Sequence, residues 1–69
     1  MGAREDFNKA VEVFSNAIWQ NYNDADAWQN RALIRIKIGD LKNACSDLNI
    51  AINLGDAGAS SPHNKYCNE

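Results

Sequence analysis

DLKNACSDLNIAI, the stretch from Asp40 to Ile52, repeats a pattern that the chain has already used. The earlier copy is DFNKAVEVFSNAI, from Asp6 to Ile18, and the two copies lie 34 positions apart. An aspartate, two alanines and an isoleucine are identical between them, and Leu replaces Phe at two further positions. Apolar residues recur in both copies every three or four positions, which is the period of a helix buried along one stripe. The chain therefore uses one helical element twice.

Three helices are predicted from the apolar spacing, at about 3–21, 25–38 and 41–54. Asn23 or Asp24 is placed to cap the second helix, and Asp40 the third, because a short side-chain oxygen accepts from free backbone amides at a helix start. Gly39 and Gly55 fit the left-handed residue that closes a helix. The apolar residues of the second helix wrap much of its circumference, which predicts packing on more than one side.

The predicted fold is all-α: an antiparallel helix-turn-helix stack of three helices with a possible short fourth helix. Turns of two to four residues force neighbouring helices to run antiparallel. We assign residues 1–56 to the helical unit and 57–69 to a tail, either a loop or a short capping helix. Within the tail, Ser61 followed by Pro62 is a favourable N-cap and first-turn pair for a helix that ends at Tyr66.

Composition excludes several functional classes. The net charge of −2 argues against a nucleic-acid binder, which usually has a basic face. No apolar run is long enough to cross a membrane, and the N-terminus lacks the apolar core of a secretory signal. We therefore expect no nucleic-acid partner, no membrane association and, by default, a reducing cytoplasmic compartment.

The chain has two cysteines, Cys45 and Cys67. Cys45 lies in the apolar stripe of the third helix, where cysteine usually behaves as a small buried hydrophobe. Cys67 follows near the C-terminus, where we expect it to be exposed. Because nothing else in the sequence is typical of a secreted disulfide scaffold, we expect no disulfide between them.

A period of 34 residues with alanines at fixed positions is typical of a helix-turn-helix repeat. From about Asp6 to Asp56 the chain resembles the tetratricopeptide-repeat (TPR) family. The residues that carry the resemblance are Trp28, Gly39, Ala44, Leu48 and Ala51, with Ala10, Phe14 and Ala17 in the earlier half-copy.

The sequence departs from the family pattern in two ways. Arg31 and Arg35 stand where the family has Leu and Tyr, and Ala32 stands where it has Gly. The resemblance also covers only about one and a half repeats, whereas about three are normally needed for stability. We therefore expect either a piece of a longer array or a chain that homo-oligomerises through the uncovered faces of its first and third helices.

The resemblance implies a protein-protein interaction module that binds a peptide or partner protein along its second helix. Matched by position, the partner-binding residues are Asp26, Gln29, Asn30, Leu33, Ile36 and Lys37. Asn30 corresponds to an asparagine that contacts a bound peptide in chaperone-binding members. An ordinary exposed helix asparagine is an equally good interpretation of it. The alternative function is a self-assembling structural or engineered repeat fragment.

No catalytic residue, cofactor or metal site is expected. Trp28 could stack on a ligand, but its family position favours packing. His63, Cys67 and Glu69 are spaced as metal ligands could be, yet three ligands at a chain end make a poor structural zinc site. The acidic residues are scattered singly over what should be solvated faces, so no carboxylate pair stands out for acid-base catalysis.

Overall fold

The computed structural model describes residues 2–67, with side chains from residue 6 onwards. Within that span the fold is all-α, as predicted, and contains no β-strand. The helices are α1 (Gly2–Gln20), α2 (Ala25–Ile38), α3 (Leu41–Asn53) and α4 (Ser60–Tyr66), with a 3₁₀ turn at Ala57–Ala59 before α4. The predicted bounds of the first three helices hold to within one residue at each end.

Both turns between the long helices are closed as the sequence predicted. Asp24 caps α2 by accepting from the backbone amide of Ala27, and Asp40 caps α3 by accepting from that of Asn43. The Asn43 side chain also donates to Asp40 Oδ2 at 2.8 Å, and this hydrogen bond lowers the pKa of the Asp40 carboxyl. Gly39 follows α2 with a φ of 98°, a left-handed conformation that costs glycine little. Short, firmly closed turns therefore set α1, α2 and α3 antiparallel.

The core lies where α2, α3 and the 3₁₀ turn meet, and alanines make up most of it. Its fully buried members are Ala32, Ala44, Leu48, Ala51 and Ala59, and the partly buried Trp28, Ile36, Ile52 and Cys67 pack against them. Alanines let the two helix axes approach closely, while Leu48 fills the groove between them. The molecule measures 34 × 31 × 15 Å, so it is about one and a half helix diameters thick. Such a thin layer leaves most helices with a face that no other helix covers.

The tail folds back on α3, and here two expectations were wrong. Ser61 does not cap α4: the helix begins at Ser60, two residues before Pro62, and its N-cap, Ala59, makes no side-chain capping hydrogen bond. Asp56 instead accepts from Gly58 and starts the preceding 3₁₀ turn. The turn buries Ala59 in the core, and this contact decides where the tail lies.

The second correction concerns the cysteines, which form a disulfide between Cys45 of α3 and Cys67 just beyond α4. Their Cα atoms lie 5.7 Å apart, a distance that only the docking of α4 on α3 creates. Cys45 is therefore half-buried and bonded, not a free buried thiol.

Candidate partner-binding site

Four of the six predicted binding residues form one row on α2. Asp26, Asn30, Leu33 and Lys37 are all exposed. Their spacings of four, three and four residues place them on a single face of the helix. We call this row the α2 outer face. It offers two opposite charges, an amide and a branched apolar side chain to solvent.

The other two predicted residues lie at the edge of this row. Gln29 is half-buried, and its side-chain amide lies beside Gly58 of the 3₁₀ turn. Ile36 is half-buried and packs against the core cluster. The structure thus brings Gln29 and Ile36 towards the α3 side of α2, where Ile36 also supports the core.

The charges of the α2 outer face stand at its two ends. Asp26 lies in the first turn of α2 and Lys37 in the last turn. Each sign is favourable there, because a helix carries partial positive charge at its N-terminus and partial negative charge at its C-terminus. At 1.5 Å rise per residue the two residues are separated by roughly 16 Å along the axis, about the length of five residues of extended peptide.

Behind this face, α2 is anchored by a buried ion cluster that the sequence analysis missed. Asp47 of α3 is 2% exposed and accepts three hydrogen bonds. Arg31 donates two of them, from Nε at 2.9 Å and from Nη2 at 2.8 Å, and Arg35 donates the third from Nη1 at 2.8 Å. Arg31 Nη1 also donates to the Ser15 hydroxyl at 3.0 Å, so one side chain links α1, α2 and α3.

The expectation that the acidic residues all lie on solvated faces was therefore wrong for Asp47. A signal for its burial was present in the sequence. Asp47 is three residues after Ala44 and four before Ala51, so it shares their face on α3. Arg31 and Arg35 are four residues apart, which places two cations on one face of α2.

Trp28 is a packing residue, as its position predicted. The ring is half-buried against the core cluster, and its Nε1 donates to the backbone oxygen of Tyr22 at 2.8 Å. The Arg31 guanidinium lies 5.0 Å from the ring centroid, within range of a cation–π interaction. Contacts within the chain therefore engage the Trp28 ring and its N–H group.

An exposed aromatic pair at the end of α1 was not anticipated. Trp19 is 72% exposed, and its ring lies 6.0 Å from that of Tyr22, with the two planes tilted by 58°. Trp19 falls outside the apolar stripe of α1, and this offset from the helical period is the signal that could have identified it as a surface residue.

An open cleft of about 390 Å³ lies on a different part of the molecule, between α3 and α4. It is lined by Leu41, Lys42, Cys45, Asn49, His63, Tyr66 and Cys67, and so contains none of the six predicted binding residues. Of the three considered as metal ligands, His63 lines the cleft, the Cys67 sulfur is engaged in the disulfide, and Glu69 lies outside the described residues. The disulfide removes the only thiolate from that set.

We compared the chain with known protein families, curated proteins and solved structures. No protein-family profile, curated protein or solved structure matches the chain. Among the described helices, none is both long enough and apolar enough to traverse a lipid bilayer.

Proposed function

We propose that the chain is a non-catalytic, TPR-like protein-interaction module that holds an extended peptide segment of a partner protein along the α2 outer face. The observation that carries this proposal is the row of four exposed side chains, Asp26, Asn30, Leu33 and Lys37, on a helix flanked by α1 and α3. Among residues 6–67, no hydrogen bond of the structure involves the side-chain amide of Asn30. That amide is free to donate to and accept from a peptide backbone.

Each side chain of the α2 outer face makes a different contact with the peptide. Asn30 fixes the peptide's register, and Leu33 contributes apolar area near the middle of the row. Asp26 and Lys37 select a peptide with a basic residue near one end and an acidic residue near the other, because complementary charges orient an approaching ligand. The Arg31–Asp47 ion pair supports the proposal, since a helix that is already tied to its neighbour loses less freedom when a peptide binds.

The proposal is tested with pentapeptides selected by phage display on the immobilised, oxidised chain. Peptides that bind are then titrated against the wild type and against N30A and L33A by calorimetry. We expect each variant to weaken binding by about tenfold, the effect of losing one central contact of about 1.4 kcal/mol.

Asn8→Ala is the matched control, because Asn8 is an exposed helix asparagine on α1. It should leave peptide binding unchanged. If the selected peptides bind N30A and L33A as tightly as they bind the wild type, the α2 outer face is not the site.

A further inference from the structure

The apolar stripe of α1 is covered on one side only. We call its uncovered side the α1 seam, which consists of Phe7, Ala10, Val13, Phe14 and Ala17. Val13 is 56% exposed, and the other four are half-buried. Ile18, on the side of the stripe where α1 packs against α2, is 4% exposed. One flank of the same helix is thus fully buried, whereas the other stays partly open to solvent.

In α3, the positions equivalent to the α1 seam are packed against another helix, α2. A shift of 34 residues places the α1 seam on Leu41, Ala44, Asp47, Leu48 and Ala51. Ala44, Leu48 and Ala51 are fully buried and Asp47 nearly so, since Ala32 and Arg31 of α2 lie against them, whereas Leu41 at the end of the set stays 42% exposed. The α1 seam is therefore the same docking surface without its covering helix. Where α3 has the charged Asp47, α1 has Val13, so the missing partner helix must be apolar there.

We propose that the α1 seam binds the α1 seam of a second copy of this chain. The two helices run antiparallel, and the two-fold axis that relates them crosses the seam at the level of residue 12. The seam repeats with a heptad period: Phe7 and Phe14 are seven residues apart, as are Ala10 and Ala17. In a helix pair such positions interdigitate. Antiparallel pairing places Phe7 of one copy opposite Ala17 of the other, and Phe14 opposite Ala10, so each phenylalanine meets an alanine.

Parallel pairing does not give this fit, because it opposes Phe to Phe and Ala to Ala at every level. The chemistry of the seam also suits self-pairing. None of its five side chains carries a charge or a hydrogen-bonding group, so their burial leaves no polar atom unpaired. Val13 lies close to the two-fold axis and meets its own counterpart there. Asp6 and Gln20 border the seam, which gives an apolar centre and a polar rim.

This dimer uses a different helix from the proposed peptide site, so either proposal can fail without the other. The interface is one helix pair about 16 Å long, which is small for a protein–protein contact. We therefore expect a reversible dimer, and sedimentation equilibrium of the oxidised chain should follow its mass from about 10 µM to about 1 mM. The expected result is a mass that rises from one chain to two across this range.

Val13→Glu tests the site directly, because Val13 is exposed and its replacement does not disturb the monomer's core. Two glutamates near the axis repel each other, and we expect the dissociation constant of the dimer to rise by at least about tenfold. Asn8→Glu is the matched control: Asn8 is exposed and lies five residues from Val13, so the variant adds the same charge on another side of α1 and should leave association unchanged. Far-UV circular dichroism of both variants verifies that α1 remains folded.

Helix direction is tested with a nitroxide label on Gln20→Cys, the native disulfide being left intact. Antiparallel pairing centred near Glu12 separates the two labels by roughly 24 Å along the axis, whereas parallel pairing brings them within about 10 Å. A mass of one chain at every concentration overturns the proposal, as does a dimer that is insensitive to Val13→Glu. Short label distances overturn the antiparallel arrangement.

Discussion

Replacing Asp47 by asparagine should destabilise the protein more than any other single change of charge. The carboxylate is 2% exposed and accepts three hydrogen bonds of 2.8–2.9 Å from Arg31 and Arg35. Asparagine keeps the shape of the side chain but removes the charge. It also turns an amide N–H group towards a guanidinium donor. Two cations are then left in a partly buried site with no counter-charge.

The loss of stability depends on how much hydration the two guanidinium groups regain when the carboxylate is removed. Breaking a buried ion pair by removing one partner typically costs about 3–5 kcal/mol. The Arg31 and Arg35 side chains retain 15% and 21% exposure, so they can recover part of their hydration. We therefore expect a loss of about 3 kcal/mol for D47N. A domain of this length is stable by roughly 3–10 kcal/mol, so the variant should lie close to unfolding at room temperature.

Urea unfolding followed by far-UV circular dichroism measures this loss. Glu12→Gln is the matched control, because Glu12 is exposed in the middle of α1, and it should change the free energy of unfolding by less than about 0.5 kcal/mol. The triple variant R31M/R35M/D47V replaces the whole cluster by apolar groups, and should recover most of the stability that D47N loses. A loss below about 1 kcal/mol for D47N, or a triple variant as unstable as D47N, would refute this account of the cluster.

Two further predictions concern the disulfide and the cap of α3. The Cys45–Cys67 bond links residues 22 positions apart. Removing it in C45S/C67S should therefore lower the free energy of unfolding by about 3 kcal/mol relative to the oxidised wild type. Free thiols detected in the denatured wild type without a reducing agent would show that the bond is absent. Asn43→Ala should raise the pKa of Asp40 towards its ordinary value, because the Asn43 hydrogen bond to the carboxylate is the main cause that lowers it. A depressed folded-state pKa stabilises the protein above the unfolded-state pKa of about 3.9 and loses this contribution as the pH falls through the folded-state value. NMR titration of the Asp40 carboxyl in both proteins measures the difference, and identical titration curves would contradict it.

The sequence by itself determined the helices and their turns. The apolar period of α1 and α3, the capping aspartates at 24 and 40 and the glycine at 39 are local signals that act within a few residues. Each could be identified without knowledge of what packs against it. The repeat of 34 residues likewise predicted that α1 and α3 present equivalent faces.

Tertiary structure decided the rest, because it depends on which side chains meet across helices. Asp47 is isolated in the sequence, and only the approach of α2 to α3 brings Arg31 and Arg35 to it. Cys45 and Cys67 can bond only once Ala59 enters the core and α4 lies back on α3. The repeat made α1 and α3 alike, but α2 covers the face of α3 that carries Ala44 and Leu48, and a different flank of α1, the one that carries Ile18. That difference is a property of the packed chain, because burial depends on neighbours that local sequence does not specify.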